Sequence, residues 1–246
     1  MLRRLSDLIT GQKEALAEGS PADAAALRTR RDAARAARAD ADRAARQAEA
    51  GLRTLQAAPA AVPAGALWAY RPLSWCDAAL PAAHVGPENG TKISPDLALF
   101  HDCPLAEITL RQTLALPAAP ARFALSLDTL RFRGSFLSLV LSLPEDQVTG
   151  IGLRDVLRLT LNLTMSAETR LYGRLNLQQG PNTAQMLAEF PPTEGSTTEV
   201  AFDLAYGHLR DMPLERIWID LMVEEPAMRR LTFCDLILSR HARAEL

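Results

Sequence analysis

From Phe123 to Ser239 the chain alternates apolar and polar residues with a period of two, the pattern of strands that bury one face and wet the other. Phe123, Leu125 and Leu127 stand against Ala124, Ser126 and Asp128, and Leu137, Leu139, Leu141 and Leu143 repeat the spacing. Leu157, Leu159, Leu161 and Leu163 oppose Arg158, Thr160, Asn162 and Thr164, while Leu171, Leu175 and Leu177 oppose Tyr172, Arg174, Asn176 and Gln178. Val200, Phe202 and Leu204 continue the series, followed by Ile217, Ile219, Leu221 and Val223, and by Leu231–Ser239. In that last segment Leu231 and Phe233 fall on the opposite parity to Leu236 and Leu238, which predicts a bulge near Cys234-Asp235 or a strand covered on both faces.

Further strands are predicted at Leu67–Tyr70, Leu97–Phe100 and Ile108–Leu114. Nine or ten strands separated by turn residues, without a helix after each strand, predict a mainly β fold: an antiparallel, jelly-roll-like β-sandwich over residues 67–246. One helix is expected within it, at Thr183–Glu189 behind the Gly180-Pro181 turn, and a short turn within Val148–Leu157.

Residues 1–57 are written differently. They contain no aromatic residue. Leu2, Leu5, Ile9 and Leu16 mark a short amphipathic helix over 2–18. Ser20-Pro21-Ala22-Asp23 then reads as a second helix start, with Ser20 capping, Pro21 in the first turn and Asp23 complementing the dipole. From there to Gln56 the alanine-rich sequence predicts one long helix, with Asp42/Arg46 and Glu49/Arg53 as i,i+4 pairs. A heptad seam runs through Leu27, Ala34, Ala37, Ala41, Ala44, Ala48, Gly51 and Leu55, which would let a partner helix approach closely. Self-association, packing on its own domain and a solvated helix all fit, and a homo-oligomer formed through this arm is the expectation. Residues 58–66, with Pro59 and Pro63, form a semi-rigid linker.

Charge narrows the partners. The formal net charge is −2, and the first 57 residues carry eleven Lys/Arg against eight Asp/Glu. Arg28, Arg30, Arg31, Arg35 and Arg38 are interleaved with Asp23, Asp32, Asp40 and Asp42, so the uncompensated basic stripe that phosphate neutralisation needs is missing and no nucleic acid is expected. Ser6 and Asp7 interrupt any signal-peptide core, and no window is long and apolar enough to span a bilayer, so the default location is cytoplasmic, with export by a non-classical route left open. Cys76, Cys103 and Cys234 are odd in number and lack CxxC spacing, which argues against a disulfide framework.

The segments Ala98-Leu99-Phe100-His101-Asp102-Cys103-Pro104-Leu105-Ala106-Glu107-Ile108-Thr109-Leu110, Gly134-Ser135-Phe136-Leu137-Ser138-Leu139 and Gly180-Pro181-Asn182-Thr183, with the ending Ser239-Arg240-His241-Ala242-Arg243-Ala244-Glu245-Leu246, resemble an uncharacterised alphaproteobacterial family of unknown function. The resemblance covers roughly residues 66–246. It implies one domain there and carries over no activity and no catalytic residue.

The chemistry must therefore come from the residues themselves. His101-Asp102-Cys103, even with Cys76, lacks the paired short spacings of a structural zinc site, and no metal or cofactor is expected. A Cys103/His101 nucleophile pair would lack a third group to orient it. Asp220 and Glu224 lie on one strand face with Trp218, and Asp128 and Asp203 could supply a second acid from a neighbouring strand, the minimum for a glycosidase. Acids on a solvent face are ordinary, however, so no catalytic residue is assigned. If Asn162, Tyr172, Arg174, Asn176, Trp218 and Asp220 share a sheet face, two aromatics and several planar polar groups would meet there, suited to stacking on sugar C–H surfaces or peptide and to directional hydrogen bonds. The expected role is a non-catalytic binding or assembly module, with glycan recognition its sharpest form. A purely structural or protein-interaction role is the alternative, and a glycoside-acting enzyme a third.

Overall fold

The computed structural model describes residues 21–56, 62–115, 119–192, 195–210 and 212–244, with side chains of Pro21 and of residues 46–56 left aside. The expected helix over 2–18 and residues 58–61 of the linker lie outside them. The chain divides into two compact units, Met1–Ala57 and Ala58–Leu246. The first contains one 36-residue helix, α1 (Pro21–Gln56), about 54 Å long at 1.5 Å per residue. Its ion pairs are local: Arg31–Asp32, Arg38–Asp42 and Arg43–Asp40. The expected Asp42/Arg46 and Glu49/Arg53 pairs involve side chains outside those described.

The second unit is an antiparallel β-sandwich. Its elements are β1 (Ala66–Tyr70), α2 (Leu73–Cys76), β2 (Ala83–Val85), β3 (Thr91–Ser94), β4 (Leu97–His101), β5 (Ile108–Leu114), β6 (Phe123–Thr129), β7 (Leu137–Ser142), α3 (Glu145–Val148), β8 (Asp155–Met165), β9 (Leu171–Gln179), β10 (Asn182–Glu189), β11 (Thr197–Asp203), β12 (Arg216–Val223) and β13 (Arg229–Ala242). One sheet runs β11-β8-β13-β6-β5-β2, with β1 also on β13; the other runs β10-β9-β12-β7-β4-β3. From β6 to β13 every connection except the β9–β10 hairpin crosses between the sheets, which is the wound connectivity of a jelly roll.

The alternating leucines explain the layers. Leu157, Leu159 and Leu161 of one sheet and Leu175, Leu177, Ile217 and Ile219 of the other are at most 1% exposed. Full burial of each such side chain contributes about 1.5–3 kcal/mol. Gly173 interrupts the inward row of β9 for a reason: a Cβ there would sit 3.3 Å from the Phe202 ring and 3.5 Å from that of Phe190. The two rings fill the space that the glycine leaves.

One expected element differs. The predicted helix at Thr183–Glu189 is strand β10, paired along its whole length with β9 from Asn182↔Gln179 to Glu189↔Tyr172. Its Ala, Gln, Met, Leu and Glu are good helix formers, but the two-residue Gly180-Pro181 turn, with Gly180 at φ +56°, folds the segment back as a hairpin, and pairing outweighs propensity. The short turn expected within Val148–Leu157 is present: behind the helical turn α3, which ends at Val148, the Ile151 N–H donates to the Val148 carbonyl and the Asp155 N–H to that of Gly152.

The parity slip in β13 is a bulge: its register on β8 shifts between Phe233 and Asp235. On the opposite side β13 pairs with β6 only as far as Phe233 and with β1 only from Leu238 onwards. Segment 71–76 closes that gap. The Arg71 guanidinium donates to both Asp235 oxygens at 2.8 and 2.9 Å, and the fully buried Trp75 donates its indole N–H to the Phe233 carbonyl at 3.0 Å. Asp96 performs a similar task between the sheets, accepting from Tyr70 Oη, Leu73 N and Ser94 Oγ. Burial, and then the Asp96 carboxylate, push the Tyr70 hydroxyl well above its ordinary pKa.

The Arg71–Asp235 pair is almost fully withdrawn from water, with side chains 11% and 6% exposed. Breaking one half of such a pair strands a charge. Asp235→Ala is expected to lower the unfolding free energy by about 3–5 kcal/mol in urea titrations, and the double change Arg71→Met with Asp235→Leu to recover most of that loss. An Asp235→Ala protein as stable as wild type would show that the gap closes by packing alone.

Candidate functional site

Inward burial of alternate residues on β9 and β12 forces the others onto the outer face of the β10-β9-β12-β7-β4-β3 sheet. The registers place Trp218 opposite Asn176, Asp220 opposite Arg174 and Met222 opposite Tyr172. On the far side of β9, Gln185 stands beside Asn176, Leu187 beside Arg174 and Glu189 beside Tyr172. On the far side of β12, Ser142, Val140 and Ser138 face Trp218, Asp220 and Met222. Phe100 of β4 extends the row of Ser138.

Five of the six residues singled out from the sequence thus share one surface. The sixth does not. Asn162 lies on β8 in the opposite sheet, where its amide donates to Thr197 Oγ1. Asp128 and Asp203, the acids imagined on neighbouring strands, are also in that sheet, paired with Arg230 and with Arg243 respectively. Glu224 follows β12 and is held by Arg170 at 2.7 Å. No second carboxylate from this group faces Asp220.

At the centre of the face is a closed polar network. Asp220 Oδ2 accepts from Arg174 Nε at 2.8 Å and from Asn176 Nδ2 at 2.9 Å. Gln185 Nε2 donates to Asn176 Oδ1 at 2.9 Å, so every polar atom of Asn176 is engaged. Although Asn176 and Asp220 sit on an outward face, they are only 1% and 6% exposed. Their neighbours roof them over. Arg174 stays 41% exposed and commits only Nε to Asp220, which leaves its terminal N–H groups turned to solvent.

Aromatic rings flank this network diagonally. Trp218 is half-buried, with the Arg216 guanidinium 5.3 Å from its ring centre, a contact of about 0.5–1 kcal/mol at an exposed site. Tyr172 lies four residues further along the strand direction and one strand across, about 14 Å away at 3.4 Å per residue. Gln185, Leu187, Met222 and Arg216 belong to the same surface and escaped the sequence reading. The first two were hidden by the misread β10; period-two alternation of Thr183, Gln185, Leu187 and Glu189 against Ala184, Met186 and Ala188 was the signal that could have found them.

The His101-Asp102-Cys103 cluster is structural. His101 is buried, with Nε2 on the Pro87 carbonyl at 2.9 Å and Nδ1 accepting the backbone N–H of Cys103. The imidazole addresses that backbone rather than the thiol. Burial opposes ionisation of Cys103, yet the backbone groups of Arg133, Glu107, Leu105 and Ala106 bring its thiol below the ordinary value. Asp102 accepts from Ser135 Oγ at 2.6 Å, Ser135 N at 2.7 Å and Phe136 N at 3.1 Å. Gly134 makes this possible, because a Cβ there would meet Asp102 Oδ1 at 2.3 Å.

Cavities lie elsewhere. One of about 640 Å³ opens at one end of the sandwich beside the β8–β9 and β10–β11 connections, and Leu163, Leu171, Phe190 and Thr198 are among its lining residues. A second of about 250 Å³ shares Glu168, Thr169 and Arg170 with it and adds Glu224, Glu225 and Arg229. Among the described residues no group of three His, Cys, Asp or Glu side chains could hold a metal ion, and no helix is long and apolar enough to cross a membrane.

The chain belongs to a family of unknown function, DUF6478, whose pattern matches residues 5–246. That span takes in the helical arm as well as the sandwich, wider than the 66–246 of the sequence resemblance. No curated protein matches the chain. Among solved structures it is similar to the enzymatically active domain of tailspike protein 4 of bacteriophage CBA120 (12% identity, TM-score 0.44, 64% of this chain and 21% of that one). It is also similar to a family 11 carbohydrate-binding module from Clostridium thermocellum in complex with a mixed-linked tetrasaccharide (10%, 0.39, 64% and 96%), and to the CBM22-1 xylan-binding domain of Paenibacillus barcinonensis Xyn10C (10%, 0.37, 66% and 94%). With every TM-score below one half, these likenesses say nothing about a ligand of this chain.

The Ser135 hydroxyl, then the Phe136 backbone N–H, hold the Asp102 carboxyl below its usual 3.8. A carboxyl with a depressed pKa in the folded state contributes stability above its unfolded value and loses it as the pH falls through the folded one. The wild type is therefore expected to lose more urea resistance than Asp102→Asn on acidification from about pH 5 to about pH 2. Equal losses would mean that the Asp102 hydrogen bonds are no stronger to the carboxylate than to the acid.

Proposed function

We propose that the chain is a non-catalytic binding module and that the outer face of the β9–β12 sheet recognises glycan. The observation that carries this reading is the pairing of a rigid polar stripe with aromatic flanks. Arg174, Asn176 and Asp220 lock one another in place, so the remaining Arg174 donors are held ready without ordering on binding. Trp218 and Tyr172 offer apolar ring surface on either side, suited to the C–H faces of pyranose rings. A separation of about 14 Å suits an extended ligand lying diagonally over the strands.

Catalysis is the weaker reading of the same residues. Asp220 has one of its two oxygens taken by Arg174 and Asn176, and hydrolysis of a glycosidic bond calls for a second carboxyl group across the sugar. We read the absence of such an acid among the candidate residues as favouring binding.

The arm has its own reading, carried by α1. A helix of 36 residues with Leu27 63% exposed gains most from a partner of the same kind, because between Leu27 and Leu55 its seam holds only alanine and Gly51. We infer that α1 pairs with α1 of a second copy and so presents two sandwiches together.

Glycan-array binding should be present in wild type and lost in Trp218→Ala, with an unchanged circular dichroism spectrum. Retained binding in that variant removes the face from consideration, and failure of wild type to bind any glycan removes the reading. Light scattering on the full chain should report a dimer or larger that Leu27→Asp converts to monomer; a monomeric wild type at micromolar concentration would remove the pairing of arms.

A further inference from the structure

The outer face of β9 leads directly to the end of the sandwich. Glu189 is the cross-strand partner of Tyr172 and also lines the 640 Å³ cavity. Arg170, two residues before Tyr172, lines the same cavity, and its guanidinium is held charged first by Glu224 and then by Tyr172. The surface carrying Trp218, Arg174 and Tyr172 therefore adjoins, through Glu189, a half-open cleft of the size that takes a small ligand.

The two parts differ in chemistry. On the face, Oδ2 of Asp220 and the amide of Asn176 are internally satisfied. At the cavity, Glu168 and Glu189 are exposed and accept no hydrogen bond among the described residues, and the Glu189 charge acts on the neighbouring Arg170 guanidinium. Phe190 and Leu171, both buried, supply an apolar floor. Two carboxylates whose oxygens carry no hydrogen bond, above such a floor, accept vicinal hydroxyls while the floor takes a C–H face. Within a sugar chain, the terminal residue presents the most free hydroxyls, because one of its ring positions carries no glycosidic bond.

We propose that the end cavity receives the terminal residue of an oligosaccharide whose body lies along the β9–β12 face, so that the protein reads chain ends. The proposal rests on the glycan reading of that face and adds a direction and a stop to it. Binding is then expected to depend on one end of the ligand being free. It is expected to be insensitive to how far the chain extends beyond Trp218.

The test uses the full chain and linear β-linked gluco-, xylo- and galacto-oligosaccharides, each free, capped at the reducing end, or capped at the non-reducing end. Ser196→Trp fills the cavity mouth from an exposed position, and Glu168→Gln removes one acceptor charge from a side chain without partners. With thermal unfolding unchanged, both should weaken calorimetric binding of the free sugar by about tenfold, the loss expected for one hydrogen bond to a charged group. Capping one end should abolish binding, and capping the other should leave it intact. If Trp218→Ala loses binding while Ser196→Trp and both capped sugars behave as wild type, the end cavity is refuted and the face reading stands. Where no sugar of the panel binds, or Trp218→Ala binds normally, the face reading fails and the end-reading proposal falls with it.

Discussion

Side chains alternate across a strand, and this constraint decides what the sandwich can show to water. On β9 and β12 the inward positions hold Leu171, Gly173, Leu175 and Leu177, and Ile217, Ile219, Leu221 and Val223. A slip of one residue would drive all of these leucines, isoleucines and valine outward and put Arg174 and Asp220 into the core. The apolar rows therefore fix the register, and the register brings Arg174 opposite Asp220 and Asn176 opposite Trp218. The polar network on the surface is a by-product of burial on the other side of the same two strands.

A second constraint is the incomplete neighbour of β13. This strand has β8 along one side, but on the other it passes from β6 to β1 with a gap between Phe233 and Leu238. A buried gap in a ladder leaves carbonyl and N–H groups without partners. The bulge, the Trp75 indole and the Arg71–Asp235 pair fill that space with groups from a segment more than 150 residues away in sequence. The sandwich is closed by chemistry at that point rather than by further strand pairing, and it is there that a single buried substitution does most damage.

The strands and the bulge were legible because period two is a local signal, visible within six to nine residues. Strand neighbours were not. Asn162 and Asn176 sit in identical local patterns, leucine on either side, yet they belong to different sheets, since nothing within a strand says which strand will lie beside it. For the same reason Asp128 and Asp203 could not be separated from Asp220 by pattern alone. β10 failed differently: its residues favour helix, and only the two-residue turn ahead of it and its partner β9 make it a strand. The short β2 and β3, three and four residues long, carry too little alternation to register. The core was therefore readable almost residue by residue, whereas the face needed the sheet order.

The proposed recognition depends on one outward face, spanning Trp218, Arg174 and Tyr172, making contact with ligand. Its most direct test is solution NMR of the full chain with labelled Trp indole, Arg guanidinium and backbone amide groups, titrated with the oligosaccharide panel. The account predicts shifts at the Trp218 indole N–H, the Arg174 side chain and the β9 and β12 amides, with the Asn162 side chain on the opposite sheet unmoved. Shifts confined to the opposite sheet, or no shifts at any sugar concentration, would contradict it.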